Sequence, residues 1–111
     1  MSVSKVILEQ LGGVNSLTAM TGAHDIEEIP MSEECRGGVW FTMKGRNASG
    51  CGNIVEIKLN FRDLYDVRVM TRNGRWGTQV KHSYNDIYNT NLVQVVEEGT
   101  GRYLSLFGRM V

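Results

Sequence analysis

Residues 67–82, VRVMTRNGRWGTQVKH, hold two alternating runs on either side of Asn73-Gly74. Asn and Gly both tolerate the positive backbone angles of a two-residue hairpin turn, so the pair predicts two antiparallel strands closed by a tight connection. Val67 and Val69 face one way and Arg68 and Met70 the other. Across the turn, Trp76, Thr78 and Val80 are expected to continue the core-facing side, which places Trp76 inside. The same stretch carries Arg68, Arg72, Arg75 and Lys81, so it reads either as a basic grip on nucleic acid or as a soluble hairpin.

The twofold period extends toward the N-terminus. Tyr65 joins Val67 and Val69; Val55, Ile57, Leu59 and Phe61 oppose Glu56 and Lys58; Val39, Phe41 and Met43 oppose Trp40, Thr42 and Lys44. Alternation of this kind marks an antiparallel sheet with one wet face. Helical spacing takes over at both ends. Val3, Val6, Ile7, Leu8 and Leu11 form a stripe with Ser2 or Ser4 as candidate cap and Gly12-Gly13 as its stop, and NSLTAMTGA (15–23) suits a further short helical turn. In SYNDIYNTNLVQVVEEGTG (83–101), Tyr84, Ile87, Tyr88, Asn91, Leu92, Val95 and Val96 predict a helix beginning near Ser83, with Ser83 and Asp86 as a capping box. RYLSLFGRM (102–110) can add an edge strand. The expected fold class is α+β, a small antiparallel sheet of about four strands flanked or covered by N-terminal and C-terminal helices.

With 111 residues, 41% hydrophobic and 22% charged, the chain fits a single compact domain over 1–111. It has no apolar run near the roughly 20 residues of a membrane helix and no secretory leader, so a cytoplasmic location is expected. The formal charge of zero conceals an asymmetry. Residues 1–35 set Lys5 against Glu9, Asp25, Glu27, Glu28, Glu33 and Glu34; residues 36–81 hold nine basic side chains against Glu56, Asp63 and Asp66. The acidic stretch HDIEEIPMSEEC reads as a mobile segment over 24–36, Pro30 opposing a long helix there.

Catalytic constellations are weak. His24, Cys35, Cys51 and His82 have no compact metal-ligand spacing, so neither metal nor cofactor is expected. Ser49 and Cys51 in ASGCG lack a nucleophile-elbow or phosphate-loop pattern, and Asp63 and Asp66, three apart across a turn, do not fix a general acid and base. No catalytic residue is assigned, and a small hydrolase ranks third among the readings. Lys58, Arg62, Arg68, Arg72, Arg75 and Lys81, with Trp40 as a stacking ring, make nucleic-acid binding the second reading. The first is protein binding through Asp25, Glu27, Glu28, Glu33, Glu34, Trp40 and Arg68.

The ordered fragments ILEQLGG, MTGA, LNFRDLYDV, NDIY and EEGTGRYLSL, from Ile7 to Leu106, resemble an uncharacterised family of small bacteriophage and mobile-element proteins. The resemblance implies a small α+β fold and an accessory role in an infected or element-carrying bacterial cell, with a host or phage protein as partner. The GRNASGCGN loop (45–53) looks longer than the family's usual connection.

Overall fold

A computed structural model describes residues 3–43, 53–72 and 77–100. Its centre is a five-stranded antiparallel sheet whose strands neighbour one another in chain order. They are β1 (His24–Ile29), β2 (Gly37–Thr42), β3 (Ile54–Leu59), β4 (Tyr65–Arg72) and β5 (Thr78–Ile87). Helices α1 (Val3–Gln10) and α2 (Val14–Thr21) precede the sheet, and α3 (Leu92–Thr100) follows it after a 3₁₀ turn at Asn89–Asn91.

All three helices lie on one face. Ile7 and Leu11, Leu17, and Leu92, Val95 and Val96 share a single buried cluster with Val39, Phe41, Val55, Ile57, Val67 and Val69, the inward set of β2, β3 and β4. The predicted parity of those strands is therefore the observed one, except that Phe61, expected on the inward side, lies in the turn after β3 and is 55% exposed. Gly99 lets α3 approach closely, since a β-carbon there would stand 2.7 Å from a methyl of Val69. Gly12 and Gly13, at φ 105° and 91°, turn the chain from α1 into α2, as their left-handed tolerance allows. Ser4 is not a cap: it sits inside α1, and its hydroxyl donates to Glu28 Oε2 at 2.6 Å, tying the helix to β1.

Three expectations need correction. The sheet has five strands rather than about four, because residues 24–29 of the acidic segment form β1 instead of a loop. Residues 83–87 are strand, in one element with Val80, so the helix starts at Leu92 and Ser83 with Asp86 form no capping box. Val80 points away from the core and is 46% exposed.

One cause underlies the last two. The β4–β5 pairing shifts twice, between Tyr65 and Val67 and between Val69 and Met70. Each shift is a bulge, an extra residue in one strand that reverses the twofold period beyond it. His82, Tyr84 and Ile87 pair with the inward residues Val69, Val67 and Tyr65, whereas Val80 pairs with outward Met70. Tyr84 and Ile87, three apart on one face, thus imitate a helical period within a strand. The distal bulge centres on Asp86 at φ 56°. Its amide donates to Asp66 Oδ1 at 3.1 Å, and its carboxylate accepts from Asn60 Nδ2 at 2.9 Å and Arg62 Nη1 at 2.8 Å.

The Ser2 cap candidate, the Asn73-Gly74 turn, Arg75, Trp76, Ser49, Cys51 and the expected strand over 102–110 lie outside the described residues.

Candidate functional site

The pairing fixes what the other side of the sheet displays. Directly paired residues of an antiparallel sheet share a face. Glu27, Trp40, Glu56, Arg68 and Ser83 consequently form one row across all five strands. Beside it runs a more apolar row of Thr42, Ile54, Met70 and Val80, and on the other flank Ile29, Gly38, Lys58 and Asp66. Among the described residues no helix covers this face, yet Thr42, Ile54 and Met70 on it are buried, and its exposed positions in the two rows are Glu27, Arg68, Ser83 and Val80. A shallow groove of about 520 Å³ runs over it, lined by Ile29, Trp40, Ile54, Arg68, Met70 and Val80 among others.

Charge on the face is organised around Glu56. Its Oε1 accepts from Arg68 Nε at 2.9 Å and Nη2 at 2.6 Å, and Lys58 Nζ lies 3.7 Å away. One carboxylate thus answers two cations. A second groove, of about 260 Å³, is bordered by Glu34, Lys58, Asp66, Arg68, Ser83 and Asn85, so the β1–β2 connection brings another acid to the rim.

The proposed protein-binding residues divide accordingly. Glu27, Trp40 and Arg68 come together in the central row, and Glu34 joins them at its edge. Glu28 does not, because it pairs with inward Val39 and accepts the Ser4 hydroxyl. Asp25, at φ 54°, lies in the irregular stretch of the edge strand, and Glu33 is exposed in the connection to β2. The sequence reading missed Glu56, Met70 and Val80 as parts of this surface. Apolar side chains at the wet parity of their strands were the available signal.

The nucleic-acid set is more dispersed. Lys58 and Arg68 share Glu56, and Arg62 holds Asp86 at the β3–β4 turn. Lys81 is exposed on β5, while the side chain of Arg72 and all of Arg75 fall outside what is described. Phosphate approaching Trp40 would meet Glu27 and Glu56 in the same row, an unfavourable arrangement for a polyanion.

Residues weighed for chemistry serve other contacts. Asp63, at φ 62°, pairs with Arg36 at 3.0 Å, and Asp66 accepts from Asn60 at 3.1 Å. His24 is exposed, Cys35 is buried, and His82 stacks on Tyr84 on the core side with ring centroids 6.1 Å apart. Among the described residues no three His, Cys, Asp or Glu side chains gather in a metal-holding group. Burial raises the Tyr65 hydroxyl above its usual pKa of 10.0, opposed by a hydrogen bond with Gln10. This phenol lies in the core, away from the grooves.

No helix among the described residues is long and apolar enough to cross a membrane. Comparison with known protein families, with curated proteins and with solved structures found no match to this chain.

Proposed function

We propose that this chain is a non-enzymatic protein-interaction module whose open sheet face is its contact surface. The observation that carries the reading is the central row: a half-buried Trp40 set between Glu27 and the Glu56–Arg68 pair, with Val80 and Ile29 exposing apolar surface nearby. Interfaces draw most of their energy from an aromatic or arginine anchor inside a ring of polar groups, and this row offers both anchor types. The two strand edges are poorer sites, because one bulge and the acidic side chains on β1 and two bulges on β5 interrupt the regular ladder an added strand would need. The resemblance to small bacteriophage and mobile-element proteins supports a host complex as the target, in the bacterial cytoplasm.

The test is affinity capture from bacterial lysate with the intact protein and with Trp40→Ala, both checked for fold by backbone NMR. A saturable partner that the variant binds at least about tenfold more weakly is the expected result, as for loss of an aromatic anchor. Equal capture by both proteins would overturn the placement of the contact, and no saturable partner across host lysates would overturn the function.

A further inference from the structure

We propose that a groove at one end of the sheet takes an arginine side chain of a partner protein, its guanidinium stacked on Phe61. Strand order brings three parts of the chain to this end: residues 30–36 between β1 and β2, residues 60–64 between β3 and β4, and the segment leaving β5 at Tyr88. Each exposes more than half of a large apolar side chain, Met31, Phe61 and Tyr88. The turn that carries Phe61 is fixed from within. Asn60 Oδ1 accepts the amides of Arg62 at 2.9 Å and Leu64 at 3.2 Å, and Arg36 ties Asp63 to the neighbouring connection at 3.0 Å. A ring so exposed gains little from folding, and a turn already stiff gives up little freedom on binding.

What Phe61 borders decides the ligand. It lines a groove of about 400 Å³ with Glu34, Arg62, Asp66 and Asp86, three carboxylates to one guanidinium among the described residues. Arg62 is spent on Asp86, at 2.8 Å. Asn60 gives one amide hydrogen to Asp66 at 3.1 Å and the other to Asp86 at 2.9 Å, which uses both. The capacity left over is mainly for accepting. Asp66 is bonded only through Oδ1, Glu34 engages only its backbone amide, and exposed Asn85 adds a side-chain carbonyl to the same groove. An aliphatic occupant would strip water from these groups and return nothing, and an anion would be repelled. A guanidinium meets each demand: it has only donors, it stays charged, it forks onto carboxylate oxygens and its plane stacks on a ring. Lysine meets the charge but not the plane.

The neighbouring cations of this chain do not fill the groove already. Arg36 pairs with Asp63, and Lys58, in the adjoining groove, lies 3.7 Å from Glu56. The arginine belongs to a protein rather than to the free amino acid. A small ligand needs most of its surface enclosed, whereas this groove opens beside a turn, at the end of the sheet where Met31 and Tyr88 offer apolar area to a larger partner. Trp40 does not line it, so the site goes beyond the contact assigned to the central row.

The test is NMR titration of the labelled full chain with the capped peptide Ser-Leu-Arg-Leu-Ser and its counterparts with lysine, citrulline or glutamate at the centre. The arginine peptide should shift the amides of Glu34, Phe61 and Asn85 saturably, with a dissociation constant of about 1 mM or below that rises with salt. Lysine should bind more weakly, uncharged citrulline at least about fivefold more weakly, and glutamate not at all. Phe61→Ala and Glu34→Gln, both at exposed positions and checked for fold by the same spectra, should each weaken the arginine peptide by about two- to fivefold. A merely structural role for either residue would not separate arginine from citrulline. No saturable shift by about 10 mM arginine peptide, equal affinity for citrulline, or shifts that centre on Trp40 and ignore both substitutions overturns the site. Such a failure leaves the open-face reading to its own test, capture through Trp40.

Discussion

Replacing Glu56 by Gln removes one charge and nearly nothing else from the open face. The Glu56 side chain is 19% exposed, and Arg68 and Lys58, at 44% and 26%, are its two cationic neighbours. Both arginine contacts are short, at 2.9 and 2.6 Å, but they fall on one oxygen and the guanidinium is partly solvated. Screening keeps such a pair near 0.5–1 kcal/mol, and Lys58 at 3.7 Å adds a few tenths. Glu56→Gln should therefore lower unfolding free energy by about 1 kcal/mol, a fall in Tm of about 4 °C for a domain of this size. Urea titration measures it, and a cycle with Arg68→Ala should recover a coupling of about 0.5–1 kcal/mol. The same change leaves Lys58 and Arg68 without their shared acid. Binding of single-stranded DNA or RNA at low salt should be weak in the parent and stronger in the variant, with the log–log salt dependence steeper by about one unit. Unchanged stability would show that the pair holds nothing, and equal nucleic-acid affinity with equal salt slope would show that Glu56 does not mask the cations.

Three further outcomes follow from the packing. A β-carbon at Gly38 would overlap the Ile57 carbonyl oxygen and stand 3.0 Å from the Lys58 α-carbon, backbone that can yield only by parting β2 from β3. Gly38→Ala should cost at least about 3 kcal/mol in denaturant titration, whereas Gly99→Ala, whose nearest obstacle is a Val69 methyl at 2.7 Å, should cost less and be partly relieved by Val69→Ala in a double-mutant cycle. Asn60 donates to Asp66 and Asp86 and accepts the amides of Arg62 and Leu64, so Asn60→Ala should lose about 2 kcal/mol and speed amide exchange around the β3–β4 turn and the Asp86 bulge. With the Tyr65 hydroxyl raised above 10.0, the unfolded chain releases that proton first, so stability falls as pH climbs past 10; Tyr65→Phe should flatten that alkaline loss in pH-dependent urea titrations.

Strands β2, β3 and β4 were legible because one face of each packs against the helices, and Val39/Phe41, Val55/Ile57 and Val67/Val69 keep the twofold period on that face without interruption. Strand β1 was hidden by its position at the edge. Packed by β2 on one side only, it needs few apolar residues, and HDIEEI buries none of its six completely. The end of β5 was misread for a different reason: a bulge turns the two-residue spacing of a strand into three, and Tyr84 and Ile87 then match a helix face. What selects strand there is long-range. Asp66 on β4 and Asn60 in the preceding turn hold Asp86 through contacts 20 and 26 residues apart in sequence, beyond any local periodicity.

The candidate site was legible only as parts. Trp40 and Arg68 were recognisable from residue type, and Glu27 from the acidic run, but nothing local relates positions 27, 40 and 68. Register does that, through Glu56, which looked in the sequence like one more solvated acid. The same register reduces the appeal of the basic hairpin: four cations around a turn look like a phosphate grip when counted along the chain, yet Arg68 leaves the hairpin's account once Glu56 is set beside it. A row that alternates acid, aromatic, acid, cation and hydroxyl repels a uniform polyanion and suits a protein surface patterned in both signs, which is why the open face, rather than the turn that first draws the eye, is where contact is expected.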